Sequence, residues 1–408
     1  MSSSLRIRVL SSLSPQMRAK LTSESAVFAS EDSFSAEQTN RAILLENLEP
    51  EQAHTLRLKM QHLGGAAYQF PPGLPATEAL QDTLLLGNDN LLSLLSEQAA
   101  EESAGLEPIA AQLATTLRNF HKQAFSFKVG HHQFDLGAKP LIMGILNVTP
   151  DSFSDGGQFV SVEAAVVQAK KLITEGADII DVGGESSRPG SEPVSLEDEK
   201  SRTWPVIEAI AELGIPVSID TYKAEVALGA LERGAAMVND ISALNFDERM
   251  AEVTASHDAA LVLMHMQGKP QDMQQNPSYG NLMGEILDYL VKGIEKAVAA
   301  GVDRAKIILD PGIGFGKTLT HNLETLNRLE EFRALGQPLL IGTSRKSFIG
   351  TLTGRAVNER SMGTAASLVW AIEHGAHILR VHEVAAARDL REVTCALRLG
   401  GEFTLEET

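Results

Sequence analysis

The sequence predicts a (β/α)8 barrel preceded by a small α/β domain, and three observations carry that expectation. From about residue 141 onward, eight short apolar runs rich in β-branched residues alternate with longer segments whose apolar residues recur at helical spacing. The runs are continuously apolar rather than alternating, as parallel strands covered on both faces require. Six of the helical segments end in glycine just ahead of the next run, at Gly176, Gly214, Gly234, Gly301, Gly336 and Gly375, where a left-handed cap can close a helix. Eight βα units within this length favour a closed barrel over an open doubly wound sheet.

Taken in order, residues 1–122 read as a domain of their own. "LRIRVL", "AILLEN" and "DTLLLG" have strand character, whereas "PEQAHTLRLKMQHLG", "NDNLLSLLSEQAAEE" and "PIAAQLATTLRNF" are helical, and "QFPPGLPAT" is a proline-rich loop. A ferredoxin-like sandwich is the arrangement considered, and no motif in it points to chemistry. The barrel domain is expected over 123–408. It opens with "FSFKVGHHQFDLG", a hairpin that closes the barrel's N-terminal end. His131 and His132 there read as exposed turn residues, since no third metal ligand lies nearby. The eight barrel strands follow as "LIMGILNV", "ADIIDVGG", "PVSIDT", "MVNDIS", "ALVLMH", "KIILDP", "PLLIGTS" and "ILRVHE". Segments such as "VEAAVVQAKKLITEG", "YKAEVALGALERG" and "GEILDYLVKGIEKAVAAG" supply the helices between them.

Composition narrows the function. The 408 residues exceed one usual compact domain, and 43% hydrophobic with 22% charged residues is ordinary for a globular protein. A formal net charge of −18 argues against a nucleic-acid or anionic-membrane surface, so an anionic ligand must be held by locally placed Arg, Lys or helix N-termini. No uninterrupted apolar stretch is long enough to span a bilayer, and a cytosolic protein is expected. The single cysteine, Cys395, leaves no internal disulfide or Cys-rich metal site and reads as a buried structural thiol.

The stretch "LDPGIGFGKTLTHN" resembles a phosphate-cradling loop, but Pro311 stands where that loop needs its first glycine, and proline has no N–H to offer a phosphate. In a (β/α)8 barrel the active site lies at the C-terminal ends of the strands. Polar residues gather at all eight: Asn147; Asp181 and Glu185; Asp220; Asn239 and Asp240; His265; Asp310; Ser344, Arg345 and Lys346; Arg380 and His382. Asp220, Asn239 and Asp310 suit the edge of a heterocycle bearing amino and ring N–H groups. Lys346 can meet a carbonyl or ring nitrogen, and Arg380 can stack on an aromatic ring while bonding an anion. The loop "NVTPDSFSDGG" has the composition of a lid, and "GESSRPGS" presents Ser186, Ser187 and Arg188 in a turn as an anion clamp.

"MGILNVTPDSFSDGG", "DIIDVGGESSRPGS", "VSIDTYK", "VNDIS", "LMHMQGKP", "LDPGIGFGK", "GTSRKSFIG" and "RVHEV" occur in this order over about residues 125–400. Together they resemble the dihydropteroate synthases of the folate pathway. The resemblance implies condensation of 6-hydroxymethyl-7,8-dihydropterin diphosphate with p-aminobenzoate, assisted by Mg2+. It implies that Asp220, Asn239, Asp310 and Lys346 hold the pterin with Arg380 stacked on it. Asn147, Ser187, Arg380 and His382 would hold the diphosphate, with Asn147 also near the metal. Phe153, Pro189, Phe315, Lys346 and Ser347 would form the p-aminobenzoate pocket, and Asp155 and Arg188 belong to loops that order over it. The glycines after Asp310 would let the chain turn so that Phe315 reaches the second substrate, and Lys317 need touch no phosphate. Ser187 stands where many of that family have threonine, and residues 1–122 have no counterpart in the usual family barrel. A C2 homodimer is expected. The rival readings are a corrinoid methyltransferase on a pterin-binding barrel, a non-catalytic scaffold and an NTPase. The lid, the "SRKS" stretch and the "RVHEV" anion site weigh against the first two, and Pro311 against the third.

Overall fold

The structure, a computed structural model, describes residues 6–10, 40–70, 80–102, 105–149 and 162–399. The chain forms two compact units, Met1–Lys122 with Glu330–Gly336, and Gln123–Leu329 with Gln337–Thr408.

In the first unit, β1 (Arg6–Leu10), β2 (Asn40–Leu48), β3 (Ala66–Phe70) and β4 (Gln81–Asn88) make an antiparallel sheet in the order β1-β2-β4-β3. Helices Pro50–His62, Asp89–Glu102 and Glu107–His121 supply Leu56, Leu92 and Leu113 to one core with Ile7, Val9, Ile43, Leu45 and Leu85 from the sheet. The succession β2, helix, β3, β4, helix is that of a ferredoxin-like sandwich. Its fourth strand, however, is β1 from the N-terminal side, so the order is permuted. Strand β3 escapes the sequence reading because "AAYQF" is short and alanine-rich, and the expected loop takes in its last two residues. The rest of that loop, residues 71–77, lies outside the described residues. Asn119 Nδ2 donates to Ala334 O at 3.0 Å, which ties Glu330–Gly336 into this unit.

The second unit opens with the expected hairpin, β5 (Phe125–Val129) and β6 (His132–Leu136). Its Phe125, Phe127, Val129 and Leu136 pack against Met143, Ile179, Met237 and Ile308 near the starts of the barrel strands, and so plug that end. His131 occupies the turn and is exposed; His132 instead begins β6, half-buried, with its ring stacked on Phe134.

The barrel strands are β7 (Leu141–Asn147), β8 (Ile179–Gly183), β9 (Val217–Asp220), β10 (Met237–Asp240), β11 (Ala260–Met264), β12 (Ile307–Asp310), β13 (Leu340–Ile341) and β14 (Ile378–Val381). They pair in parallel in the order β12-β11-β10-β9-β8-β7-β14-β13. A parallel bridge between Leu309 and Leu339, with Leu309 N donating to Pro338 O at 2.9 Å, joins β12 to the residues entering β13 and closes the ring. The strands are short and almost wholly buried because helices cover them outside and side chains fill them inside. The six glycines ahead of strands all adopt φ between +72° and +105°, the left-handed closure their positions predict.

Candidate active site

The strand ends converge on a compact charged cluster. Register places Asp220 beside Gly183 and Asn239, so the ends of β8, β9 and β10 lie level at the barrel mouth. Across from them, Arg380 of β14 reaches over with both sides of its fork. Its Nε donates to Asp181 Oδ2 at 2.7 Å and its Nη2 to Asp220 Oδ2 at 2.6 Å. Asn239 Nδ2 donates to the same Asp181 oxygen at 3.1 Å. Asp181 is fully buried, and its second oxygen, Oδ1, has no hydrogen-bond partner among the described residues. From β12, Asp310 accepts from Gly312 N at 2.7 Å. Lys346, which caps helix Ser347–Thr353, lies with Nζ 4.7 Å above the Phe315 ring and donates to Ile313 O.

Burial shifts the titration of two carboxylates and one cation of this cluster. Burial pushes the Asp220 carboxyl up to about 7 against the pull of Arg380, with Asp181 adding to the rise. Burial also raises Asp310, and it brings the Lys346 ammonium down to about 8 although Asp310 opposes it. Such a cluster offers ring-edge acceptors and a donor whose protonation responds to a bound ligand.

Beside this cluster lies a cleft of about 620 Å3 lined by Asn147, Arg188, Arg345 and His382. Arg345, held in the left-handed region at φ +59°, is braced by Glu383 Oε1 at 3.0 and 2.5 Å. His382 shares a proton with Ser344 Oγ at 3.0 Å. Burial pushes its imidazole down to about 4, helped by the charges of Arg380, Arg345 and Arg188, so it is neutral at pH 7. A neutral histidine among arginines marks a place where positive charge awaits an anion.

The loop after β8 carries a turn at Arg188–Ser191, with Ser191 N donating to Arg188 O at 3.1 Å. Pro189 and Gly190, at φ +79°, occupy its two central positions, as a type II turn requires. Ser186 and Ser187 thus precede the turn rather than forming it. Glu185 anchors the loop, accepting from Tyr222 OH at 2.7 Å and Lys223 Nζ at 2.6 Å.

The structure brings Asp220, Asn239, Asp310, Lys346 and Arg380 into one cluster at the barrel mouth, with Phe315 against Lys346. Asn147, Arg188 and His382 line the adjoining cleft. Ser187 is half-buried; Pro189 and Ser347 are exposed. Phe153 and Asp155 lie outside the described residues. Asp240 serves the fold instead, accepting from Ser242 N, Ser242 Oγ and Leu244 N. Cys395 is buried and its thiol is pushed up by burial, which suits a structural role. Sequence reasoning placed Asp181 and Arg345 at strand ends without giving them a site role. Asp181 stands at the same height on β8 as Ser218 on β9, one layer below Asp220, and that register is the signal that could have found it.

Among the described residues no group of three His, Cys, Asp or Glu could hold a metal ion. Asn147 offers one neutral oxygen in a cleft where Lys171, Arg188 and Arg345 stand with Glu175 and Glu383. That donor set suits Mg2+ only if the ion arrives on phosphate oxygens, which is how Mg2+ is commonly held.

Residues 143–382 match the family described as pterin binding enzyme. The chain belongs to this pterin-binding enzyme family. Within it, the chain is 50% identical over 271 residues to the dihydropteroate synthase of Synechocystis, covering 66% of this chain and 94% of the relative. It is 49% identical over 265 residues to that of Bacillus subtilis, covering 64% and 90%. Among solved structures, the Yersinia pestis dihydropteroate synthase in a sulfonamide drug complex superposes with a TM-score of 0.63 at 41% identity, over 67% of this chain and 99% of that one. The Xanthomonas albilineans enzyme with 4-aminobenzoic acid gives 0.63 at 42% identity, over 67% and 98%. This pterin-binding chain therefore stands with the dihydropteroate synthases, which are transferases, and it is longer than the relatives it matches.

Proposed function

We propose that the barrel makes 7,8-dihydropteroate with the strand-end residues in defined roles. The observation that carries the assignment is the Asp181–Arg380–Asp220 fork beside Asp310 and Lys346, next to a cleft lined by Asn147, Arg188, Arg345 and His382. Asp220, Asn239 and Asp310 accept from the pterin's amino and ring N–H groups, Lys346 donates to its other edge, and Arg380 lies against its face. Asn147, Ser187, Arg380 and His382 take the diphosphate. Mg2+ carried on that diphosphate would rest on Asn147, and when bound it offsets leaving-group charge. Phe153, Pro189, Phe315, Lys346 and Ser347 form the p-aminobenzoate pocket, with Asp155 and Arg188 on the loops that close it.

In the reaction, the methylene carbon–oxygen bond breaks and its electron pair leaves with diphosphate. The aniline nitrogen's lone pair then forms the new carbon–nitrogen bond, and that nitrogen releases a proton. The arginines and His382 stabilise the departing charge. The carboxylates steady the electron-deficient methylene, and the aniline is a free base at neutral pH, so no strong general base is needed. Closing the loops keeps water from the cation.

A homodimer belongs to the same reading. Met362, Trp370, Val393 and Leu397 expose apolar side chains on helices Ser361–Glu373 and Val384–Leu399, and a second copy of that face would cover them. A cytosolic location and an independent domain at 1–122 complete the proposal.

Incubating the purified chain with dihydropterin diphosphate, p-aminobenzoate and Mg2+, and scoring dihydropteroate by mass, tests it. Product from the wild type and its loss in Lys346→Ala support the assignment. Full activity in Lys346→Ala sinks the role given to that lysine.

A further inference from the structure

The loop after β12 is held almost atom by atom. Each of the five carbonyls from Gly312 to Gly316 accepts from a side chain. Lys317 Nζ takes Gly312 O at 3.0 Å and Phe315 O at 3.3 Å. Lys346 takes Ile313 O, Gln274 Nε2 takes Gly314 O at 2.7 Å, and Tyr279 OH takes Gly316 O at 2.7 Å. Gly314 N donates to Asn322 Oδ1 at 2.6 Å. A loop whose backbone groups are satisfied by fixed partners is pre-organised rather than adaptable.

Lys317 is the centre of that scaffold and no part of the site described above. Its side chain is 2% exposed, and its third donor goes to His265 Nδ1 at 2.8 Å. Lys317 Nζ thus faces three polar atoms, Gly312 O, Phe315 O and His265 Nδ1. His265 is itself wedged, with its ring 4.9 Å from Tyr289 and 6.0 Å from Tyr279, the same tyrosine that holds Gly316 O. Burial depresses the basicity of both the lysine and the histidine. Replacing Lys317 takes the side-chain donor from Phe315 O and leaves Gly312 O only the turn bond from Phe315 N at 3.1 Å, and replacing His265 by an apolar residue takes a buried partner from Lys317 Nζ.

We propose that Lys317, held against His265, is a positioning residue for dihydropteroate synthesis: its Nζ donates to both Gly312 O and Phe315 O, draws them together and so fixes the Phe315 ring against Lys346 for the second substrate. The proposal rests on the reading that Phe315 and Lys346 line the p-aminobenzoate pocket. Its consequence is a split in the kinetics. Releasing the loop misplaces Phe315 while Asp220, Asn239 and Arg380 stay on other strands, and Asp310, although it accepts from Gly312 N, stays in β12 through its pairing with Met264 and the bond from His265 N to its carbonyl.

The test compares Lys317→Met, His265→Leu, His265→Asn and Phe315→Ala in the full chain. Steady-state kinetics gives KM for p-aminobenzoate, and calorimetry gives the dihydropterin Kd. Lys317→Met should raise KM for p-aminobenzoate ~10- to 100-fold, the scale of a misplaced contact near the chemistry. The pterin Kd should stay within about three-fold, marking loss confined to the second substrate. His265→Leu should follow Lys317→Met, whereas His265→Asn, whose Oδ1 replaces the Nδ1 acceptor, should stay near wild type. A lowered melting temperature with unchanged KM in Lys317→Met overturns the proposal. Should that variant not fold, equal KM values for the two His265 variants overturn it instead. If Phe315→Ala raises KM and Lys317→Met does not, the positioning role alone fails. If Phe315→Ala leaves KM unchanged, the pocket reading fails and takes the proposal with it.

Discussion

Asp220→Asn probes the electrostatic heart of the site without touching its shape. Burial raises the Asp220 carboxyl from its ordinary 3.8 to about 7 in the folded chain. A carboxyl with a raised folded-state pKa holds its proton better in the folded than in the unfolded chain. Its contribution to stability is therefore fully present below the unfolded pKa and is lost as pH rises toward the folded one. Each pKa unit corresponds to about 1.4 kcal/mol, so between pH 5 and pH 8.5 the wild type should lose ~2–3 kcal/mol through this one group. The asparagine variant carries no such ionisation. Urea denaturation of both proteins at a series of pH values, without ligand, should show the variant gaining on the wild type by that amount across the window. The groups that titrate in both proteins cancel in the difference. A difference independent of pH from 5 to 8.5 would mean that Asp220 is ionised throughout, and that Arg380 compensates its burial completely.

Three further outcomes follow from the geometry. Gly316→Ala places a methyl at φ +59° in collision with Gln267 O, and should lower stability by ~1–3 kcal/mol and activity with it; an unaffected enzyme would show that the loop can shift freely. Arg391 is buried and donates to Pro140 O at 3.1 Å and Asp178 Oδ2 at 2.8 Å, far from the substrate pocket. Arg391→Met should cost about 3 kcal/mol in chemical denaturation while kcat/KM of the folded enzyme stays unchanged, and a kinetic defect would contradict that separation. Lys346 loses its ammonium proton near 8, so pterin affinity should weaken as pH rises from 7 to 9.5. A flat Kd over that range would show that the charge is dispensable.

Much of the barrel was legible because its signals are local and repeated. Continuous apolar runs, helical periodicity and terminal glycines each report one element, and eight repeats of the set leave few topologies. The gathering of polar residues at the barrel mouth was legible for a related reason: a polar residue at the end of an apolar barrel strand sits at the mouth, where barrels of this kind bind their ligands. The partners of those residues were not legible. Asp181 and Asp220 look alike in the sequence, yet one is fully buried and shared by Asn239 and Arg380 while the other keeps 11% of its side chain exposed at the barrel mouth. That difference depends on strand register and on a guanidinium arriving from β14, 160 residues beyond Asp220. Lys317 reads in the sequence only as a residue with no phosphate to bind, because its engagement with His265 spans 52 residues. In the first unit, β3 was hidden because alanine carries little strand signal, and the strand is defined by its pairing with β4.

The central claim is that the strand-end cluster is a pterin site, and direct titration of 6-hydroxymethyl-7,8-dihydropterin into the wild type and Asp310→Ala tests it most plainly. Calorimetry should give one site per chain for the wild type. Removing a buried charged acceptor should weaken binding roughly 30- to 100-fold in the variant. Equal affinity in the two proteins would contradict the account and move the pterin away from the mouth of the barrel.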